Sequence, residues 1–426
     1  MQVPPSSDTL TPTEARVAES VDRDLLVQSI QRLVAVESWN GQEGPAQELM
    51  AELMTDVGLD VDLWPIDLDE VTAHPDCSWE IEREQPLGLV GTLPGTGDGR
   101  SLILNGHVDV VPPGAEELWS HPPFGGVVER GRIYGRGALD MKGPLLAGLH
   151  ALRALREAGV ELSGTVHLES VVAEEDGGLG TLATILRGYR ADGAIVMEPT
   201  DLFVAPAQAG CLNFRIRVPG LAAHGAVRDE GVSAFEKLFG VYAAIQRLEV
   251  ERNQGKEGDP LYASYAIPFP ISIGTIRGGD WASSVPDHVT MEGRMGVAPG
   301  EDFDSARGEL EATVSQAASE EDWLRDNPPE VEWWGGRFLP ARTSPDHPIV
   351  SVIHGAASSV TGNKAPLEGV TYGADMGLIA NVGSTPAVLF GAGDIRVAHR
   401  PDEYVEIEDL VTMARTLAVA AMRFCG

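Results

Sequence analysis

Several short segments of this chain end apolar runs in histidine or carboxylate side chains, the residue types that hold catalytic metals. In residues 102–109 (LILNGHVD) the run ends in His107 and Asp109. At i and i+2 they share one face of a strand, so the imidazole could ligate zinc while the carboxylate fixes its tautomer. A surface His–Asp pair fits those residues equally well. Residues 134–143 (YGRGALDMKG) place Asp140 at the head of a helix. Asp there reads first as an N-cap. It also reads as a carboxylate able to bridge two metals, among glycines that permit close backbone approach. Residues 171–178 (VVAEEDGG) follow a strand with Glu174, Glu175 and Asp176. Three adjacent carboxylates repel one another unless solvent or cations compensate. They read either as a solvated acidic turn or as one metal ligand beside a proton carrier. Glu198 closes another strand (VMEPT), and His399 stands in residues 393–403 (GDIRVAHRPDE). Each of these alone is an ordinary solvent-facing residue.

The elements that must position these residues alternate. Residues 21–58 have helical apolar spacing broken by a turn at 38–44, behind a lead, 1–20, that reads as flexible. Apolar runs at 58–64, 87–93, 101–105, 165–172 and 194–197, bounded by Gly, Pro or Asp, read as strands, and 141–158 as a helix. The pattern predicts an α/β fold, a mixed-sheet catalytic domain with flanking helices. Near Gln208 the character changes: alternating strands at 211–218, 271–276 and 289–297 accompany amphipathic helices at 233–248 and 303–318. These predict an inserted α+β domain at 208–325, between catalytic parts at 1–207 and 326–426. The helix–strand alternation resumes after Val350 and closes in a helix at 407–425.

Composition narrows the partners. The chain has 426 residues, 43% of them hydrophobic, enough for two domains. The net charge of −33 repels nucleic acid and anionic membranes, so neither is expected as a partner. No apolar run reaches the roughly 18–20 residues of a membrane span, and the polar N-terminus does not read as a signal peptide. Three widely spaced cysteines, Cys77, Cys211 and Cys425, suit a reducing compartment. A cytoplasmic location is the expectation.

Taken in order, GHVDVVP, GRGALDMKG, Glu174-Glu175 and residues 393–403 resemble the di-zinc peptidase and deacylase family that includes acetylornithine deacetylase, succinyl-diaminopimelate desuccinylase, aminoacylase and the glutamate carboxypeptidases. The resemblance spans nearly the whole chain. It implies two divalent metal ions per chain, zinc with cobalt or manganese as alternatives. His107, Asp140 and Glu198 would hold one, and Asp140, Glu175 and His399 the other. Asp109 would orient His107. Glu174 would be the general base that moves a proton from a metal-bridging water to the leaving amine. The resemblance also implies that His224, in GLAAHG of the inserted domain, reaches the partner's active site in a homodimer formed through that domain.

One lid segment departs from the family pattern. Many relatives place Asn before a Val-Ile-Pro stretch and an Arg downstream, gripping a substrate carboxylate. Here the chain reads WASSVP, with Ser283 and Ser284, and then Arg294. Arg294 remains a candidate carboxylate clamp or a structural strand residue, and Asp375 in YGADMG a candidate substrate contact. Asp176 is also unusual, because relatives often carry an apolar residue there. The leading expectation is an amidohydrolase that deacylates N-acyl amino acids or similar small carboxylate-bearing amides. An exopeptidase or dipeptidase on the same scaffold is the nearest rival, then a catabolic amidase or deaminase, then a catalytically inactive binding module.

Overall fold

The computed structural model describes residues 9–255 and 258–426, which divide into two compact units. The first is built on a nine-stranded mixed sheet. Its main path runs Asp60–Pro65, Leu87–Leu93, Val166–Val171, Leu102–His107, Gly193–Val196, Ala387–Leu389, Val204–Gln208 and Ala341–Arg342, with Leu367–Val370 paired beside Val204–Gln208. Four neighbours in the middle, Val166–Val171 through Ala387–Leu389, are mutually parallel. Parallel strands are covered on both faces, and every residue of these four strands except His167 is buried. The helix Lys142–Glu157 packs on the closing helix Ile407–Cys425, which also meets Pro348–Thr361 and Pro12–Glu19.

The helix Pro12–Glu19 corrects the later part of the reading of 1–20 as a flexible lead, of which residues 1–8 lie outside the described residues. Thr11 and Glu14 form a reciprocal capping box around a proline-led first turn. Val17 and Ala18 are buried, and Glu14 pairs with Arg423 of the closing helix at 2.6 Å. The short apolar face of eight residues gave too little periodicity to recognise.

The second unit comprises Gln208–Pro340 and Val370–Gly373, so the inserted domain extends beyond the expected end at 325. Its four-stranded antiparallel sheet runs Ile271–Gly278, His288–Val297, Gly210–Pro219 and Glu330–Trp333. The fourth strand is the reason for the later boundary. Its Glu-Val-Glu-Trp alternation turns Val331 and Trp333 onto the apolar side, and Trp333 meets Phe214 edge-on at 6.2 Å. The helices Ala234–Asn253 and Phe303–Ser319 close a core of Phe214, Ile216, Leu238, Val241, Met291 and Leu310.

Candidate metal centre

The four parallel strands of the first unit end within two residues of one another. His107 pairs with Val171, Asn105 with Val196, and Val196 with Leu389. Loops leaving the carboxyl ends of such a sheet share one crevice, the usual ligand position in α/β folds. His107 is the last residue of its strand. Glu174 and Glu175 follow Val171 by three and four residues, Glu198 follows Val196 by two, and His399 lies in the loop after Ala387–Leu389. Asp140 arrives from the turn that opens Lys142–Glu157.

Asp140 is the hub of this cluster. Its Oδ1 lies 3.2 Å from His107 Nε2, and its Oδ2 lies 3.3 Å from His399 Nε2. His399 Nε2 is also 3.1 Å from Glu175 Oε2. On the other side, His107 Nε2 is 3.8 Å from Glu198 Oε1 and 3.9 Å from Glu174 Oε2. Two sets therefore have ligand atoms within 4.8 Å of each other, His107 with Glu174 and Glu198, and His107 with Asp140 and Glu175. The sequence grouping had put Asp140, not Glu174, with His107 and Glu198. The measured distances place all three carboxylates around one imidazole nitrogen.

Asp109 acts differently from the expectation. His107 Nδ1 donates to the main-chain carbonyl of Asp109 at 2.9 Å, whereas the Asp109 carboxylate stands 3.6 Å away. The carbonyl thus fixes the tautomer and leaves the Nε2 lone pair facing the cluster. The Asp109 carboxylate instead accepts the amide N–H of Glu175 at 3.0 Å. Two residues at the centre hold left-handed backbone, Ala173 (φ 62°) just before Glu174 and His399 (φ 61°). Non-glycine residues in this region cost about 1–3 kcal/mol and persist where surrounding contacts impose them.

The electrostatics suit a cation. Burial, then repulsion from Glu198, pushes Glu174 well above the usual carboxyl range. Burial and Asp140 raise Glu198 in the same way, and burial followed by Asp140 raises Glu175. Burial opposes the charged form of His399, but hydrogen bonds to Asp140 and Glu175 outweigh it and lift the imidazole to about 11. Glu198 Oε1 is buried without a hydrogen-bond partner. Crowded carboxylates, an orphaned oxygen and two inward imidazole nitrogens fit divalent metal in His/carboxylate ligation.

Supporting contacts that sequence reasoning missed surround the hub. Glu403, fully buried and ion-paired with Arg136, accepts the amide N–H groups of Leu139 (3.1 Å) and Asp140 (3.3 Å). One carboxylate thus ties the loop carrying His399 to the turn carrying Asp140. Burial, aided by Asp140, raises Glu403 to about 7 against the pull of Arg136. Both residues were visible in the motifs GRGALD and HRPDE, but only as neighbours of ligands. Asp375, expected as a substrate contact, is buried and accepts from the Thr181 hydroxyl at 2.6 Å. Gly178 (φ 83°) makes room for it: a Cβ there would stand 2.5 Å from Asp375 Oδ1. Burial raises Asp375 to about 7. It lies near enough to add to the repulsion on Glu174 and Glu198, a setting unlike that of an open contact.

His224 and Arg294 belong to the second unit. His224 is exposed on a two-stranded ribbon, paired with Ser284. Its Nδ1 accepts the N–H of Ala226 at 3.1 Å, so the neutral ring carries its proton on Nε2 as an outward donor. Arg294 is half-buried in His288–Val297, and its Nε has no hydrogen-bond partner. Three further histidines are engaged away from the cluster: His150 with Ser29, His167 with Thr92, and His354 with the Ala365 carbonyl.

Residues 103–423 match the profile of Peptidase family M20/M25/M40. An N-formyl-4-amino-5-aminomethyl-2-methylpyrimidine deformylase of Bacillus subtilis is 32% identical over 373 residues, covering 82% of this chain and 85% of that protein. An acetylornithine deacetylase of Myxococcus xanthus is 32% identical over 352 residues, covering 80% and 85%. The chain belongs to this family, and it is an enzyme, a metal-dependent hydrolase of amide bonds. The fold is shared with the dipeptidase Dug1p of Saccharomyces cerevisiae, with a TM-score of 0.75 at 14% identity over 97% of this chain and 98% of that one. A Staphylococcus aureus tripeptidase gives 0.74 at 22% identity over 94% and 98%.

Proposed function

We propose that the protein removes the acyl group from a small N-acylated amine or amino acid, with two divalent metal ions, zinc in the first instance, at the Asp140 hub. The observation that carries this reading is the split of Asp140, one oxygen toward His107 and the other toward His399. His107 and Glu198 would hold one ion, Glu175 and His399 the other, and Asp140 both. When bound, such ions polarise a carbonyl and bring the pKa of water to about 7. Glu174 takes the proton released as water attacks the amide carbonyl and passes it to the departing nitrogen. Its buried position and raised proton affinity suit that exchange. In the homodimer that the family resemblance implies, His224 would present its Nε2–H to the developing oxyanion in the other subunit's centre.

The acyl-side reading is favoured because relatives at 32% identity are named a deformylase and a deacetylase, whereas the peptidase likenesses stand at lower identity. Arg294, with its unpartnered Nε, supports a substrate carboxylate. A homodimer through the inserted unit is supported by apolar groups left exposed there, Phe239 at 69% and Ile276, the latter on an edge strand. No helix among the described residues is long and apolar enough to cross a membrane, and the three cysteines are free, which supports a cytoplasmic setting. The test is metal content per chain, paired with hydrolysis of N-acetyl, N-succinyl and N-formyl amino acids and an N-formyl aminomethylpyrimidine, before and after chelation. Two metals with chelator-sensitive hydrolysis support the reading. A metal-loaded protein that cleaves only dipeptides overturns the deacylase assignment.

A further inference from the structure

Asp176 stands directly after the paired glutamates, and the chemistry of the centre leaves it unused. Its carboxylate is buried and fully engaged. Oδ2 accepts the main-chain N–H groups of Glu80 (3.0 Å) and Ile81 (2.9 Å) and Nη1 of Arg83 (2.9 Å), while Oδ1 accepts Arg83 Nη2 at 2.8 Å. Arg83 is buried in a loop, residues 73–85, whose other residues are half-buried or exposed. The same guanidinium donates from Nε and Nη2 to Glu43 Oε1, at 3.1 and 2.9 Å. Glu43 is itself buried at the head of Gly44–Val57.

The turn that presents Glu174 needs such a hold. It enters through left-handed Ala173 and leaves through Gly177 (φ 133°) and Gly178 (φ 83°). Gly177 passes so close to the loop that a Cβ would lie 2.4 Å from the Ser78 carbonyl oxygen. From one side the Asp109 carboxylate holds the Glu175 amide; from the other, Asp176 is clamped by a two-pronged guanidinium whose geometry admits little rotation.

The geometry points to Arg83, Asp176 and Glu43 as a positioning triad that fixes the Glu174–Glu175 turn by strapping residues 80–83 to it. This rests on Glu174 being the base. A base misplaced by about 1 Å can lose on the order of 10² in rate, so the triad acts on turnover more than on substrate binding. Asp176 is thus a directional clamp on the turn.

The test compares Asp176→Asn, Asp176→Leu and the triple variant Glu43→Gln/Arg83→Met/Asp176→Leu with the parent, alongside Glu174→Ala. Each metal-loaded protein is assayed for kcat, KM, metal content, Tm and hydrogen exchange at the Glu80 and Ile81 amides. The single variants should lose about 10–100-fold in kcat with KM within about twofold. Metal content should be kept, and the two amides should exchange faster. The triple variant removes every member of the buried charge cluster together, so it should recover much of the Tm without recovering kcat. Single variants with kcat within about twofold of the parent, or a triple variant in which kcat returns with Tm, would overturn the triad while Glu174→Ala stays inactive. An active Glu174→Ala protein would instead overturn the reading on which it rests.

Discussion

The two halves of the centre are built to different standards. The His107 side is closed: its imidazole is 1% exposed, ends a central strand, and is fixed by the main-chain carbonyl of Asp109, in a segment held by the Val108 N–H to the Val171 carbonyl and the Val110 N–H to the Ser38 carbonyl. Glu174 and Glu198 beside it are buried as well. The His399 side is open: that ring is 52% exposed and sits on a left-handed residue in a loop. Asp140 belongs to both halves, one oxygen to each. Rigid, desolvated ligands lose little freedom on binding a cation, whereas an exposed loop ligand must be ordered each time. With two ions bound as proposed, the closed half should hold its metal tightly and carry the proton chemistry, and the open half should exchange its metal.

The largest effect tests the closed half. Glu174→Ala should lower kcat by about 10³–10⁴ while metal content stays at the parent value, since a positioned acid–base group contributes up to about that much. Simultaneous loss of metal would mean that Glu174 is a ligand first, as its 3.9 Å approach to His107 Nε2 allows. Next comes the contrast between ligands. His399→Ala should retain one metal that resists chelation, with turnover down by about 10²–10³, and His107→Ala should lose the tight metal. Equal losses from both variants would erase the difference between the halves. His224→Ala tests a group outside both: a fall of about 10² in kcat without metal loss is expected for a missing oxyanion donor.

The closed half was the more legible in sequence, for a physical reason. A charged residue at the end of a largely apolar strand stands out, which is how His107, Glu174 and Glu198 of this half, and Glu175 of the other, drew notice in the sequence. Asp140 stood out only as a helix-head carboxylate and His399 as a lone loop histidine, and the roles of all six residues came from the family resemblance. What sequence could not supply was partnership across large separations. Glu403 meets the Asp140 amide across 263 positions, and Arg83 meets Asp176 across 93. The assignment of Asp109 shows the same limit within two residues, since only coordinates distinguish its carbonyl from its carboxylate as the partner of His107. The late boundary of the inserted unit was missed because a four-residue strand carries too few alternations to register, although Trp333 completes that core.

The smallest effect sharpens the contrast most, because it touches no ligand. Glu403 spans the halves, its carboxylate receiving the Leu139 and Asp140 amides while its chain leads back to His399. Glu403→Gln keeps the shape but removes the charge that Arg136 neutralises, and it offers one acceptor oxygen where there were two. Groups that orient metal ligands typically account for about 10–100-fold in metal affinity. The loss should fall on the open half, because His107 remains anchored by the sheet whereas the loop of His399 depends on Glu403. Chelator titration should show one metal released at roughly tenfold lower chelator and the other unchanged, with full activity restored by excess metal. Equal weakening of both metals would show that Glu403 governs Asp140 alone, and that the openness of His399 is no guide to how firmly its metal is held.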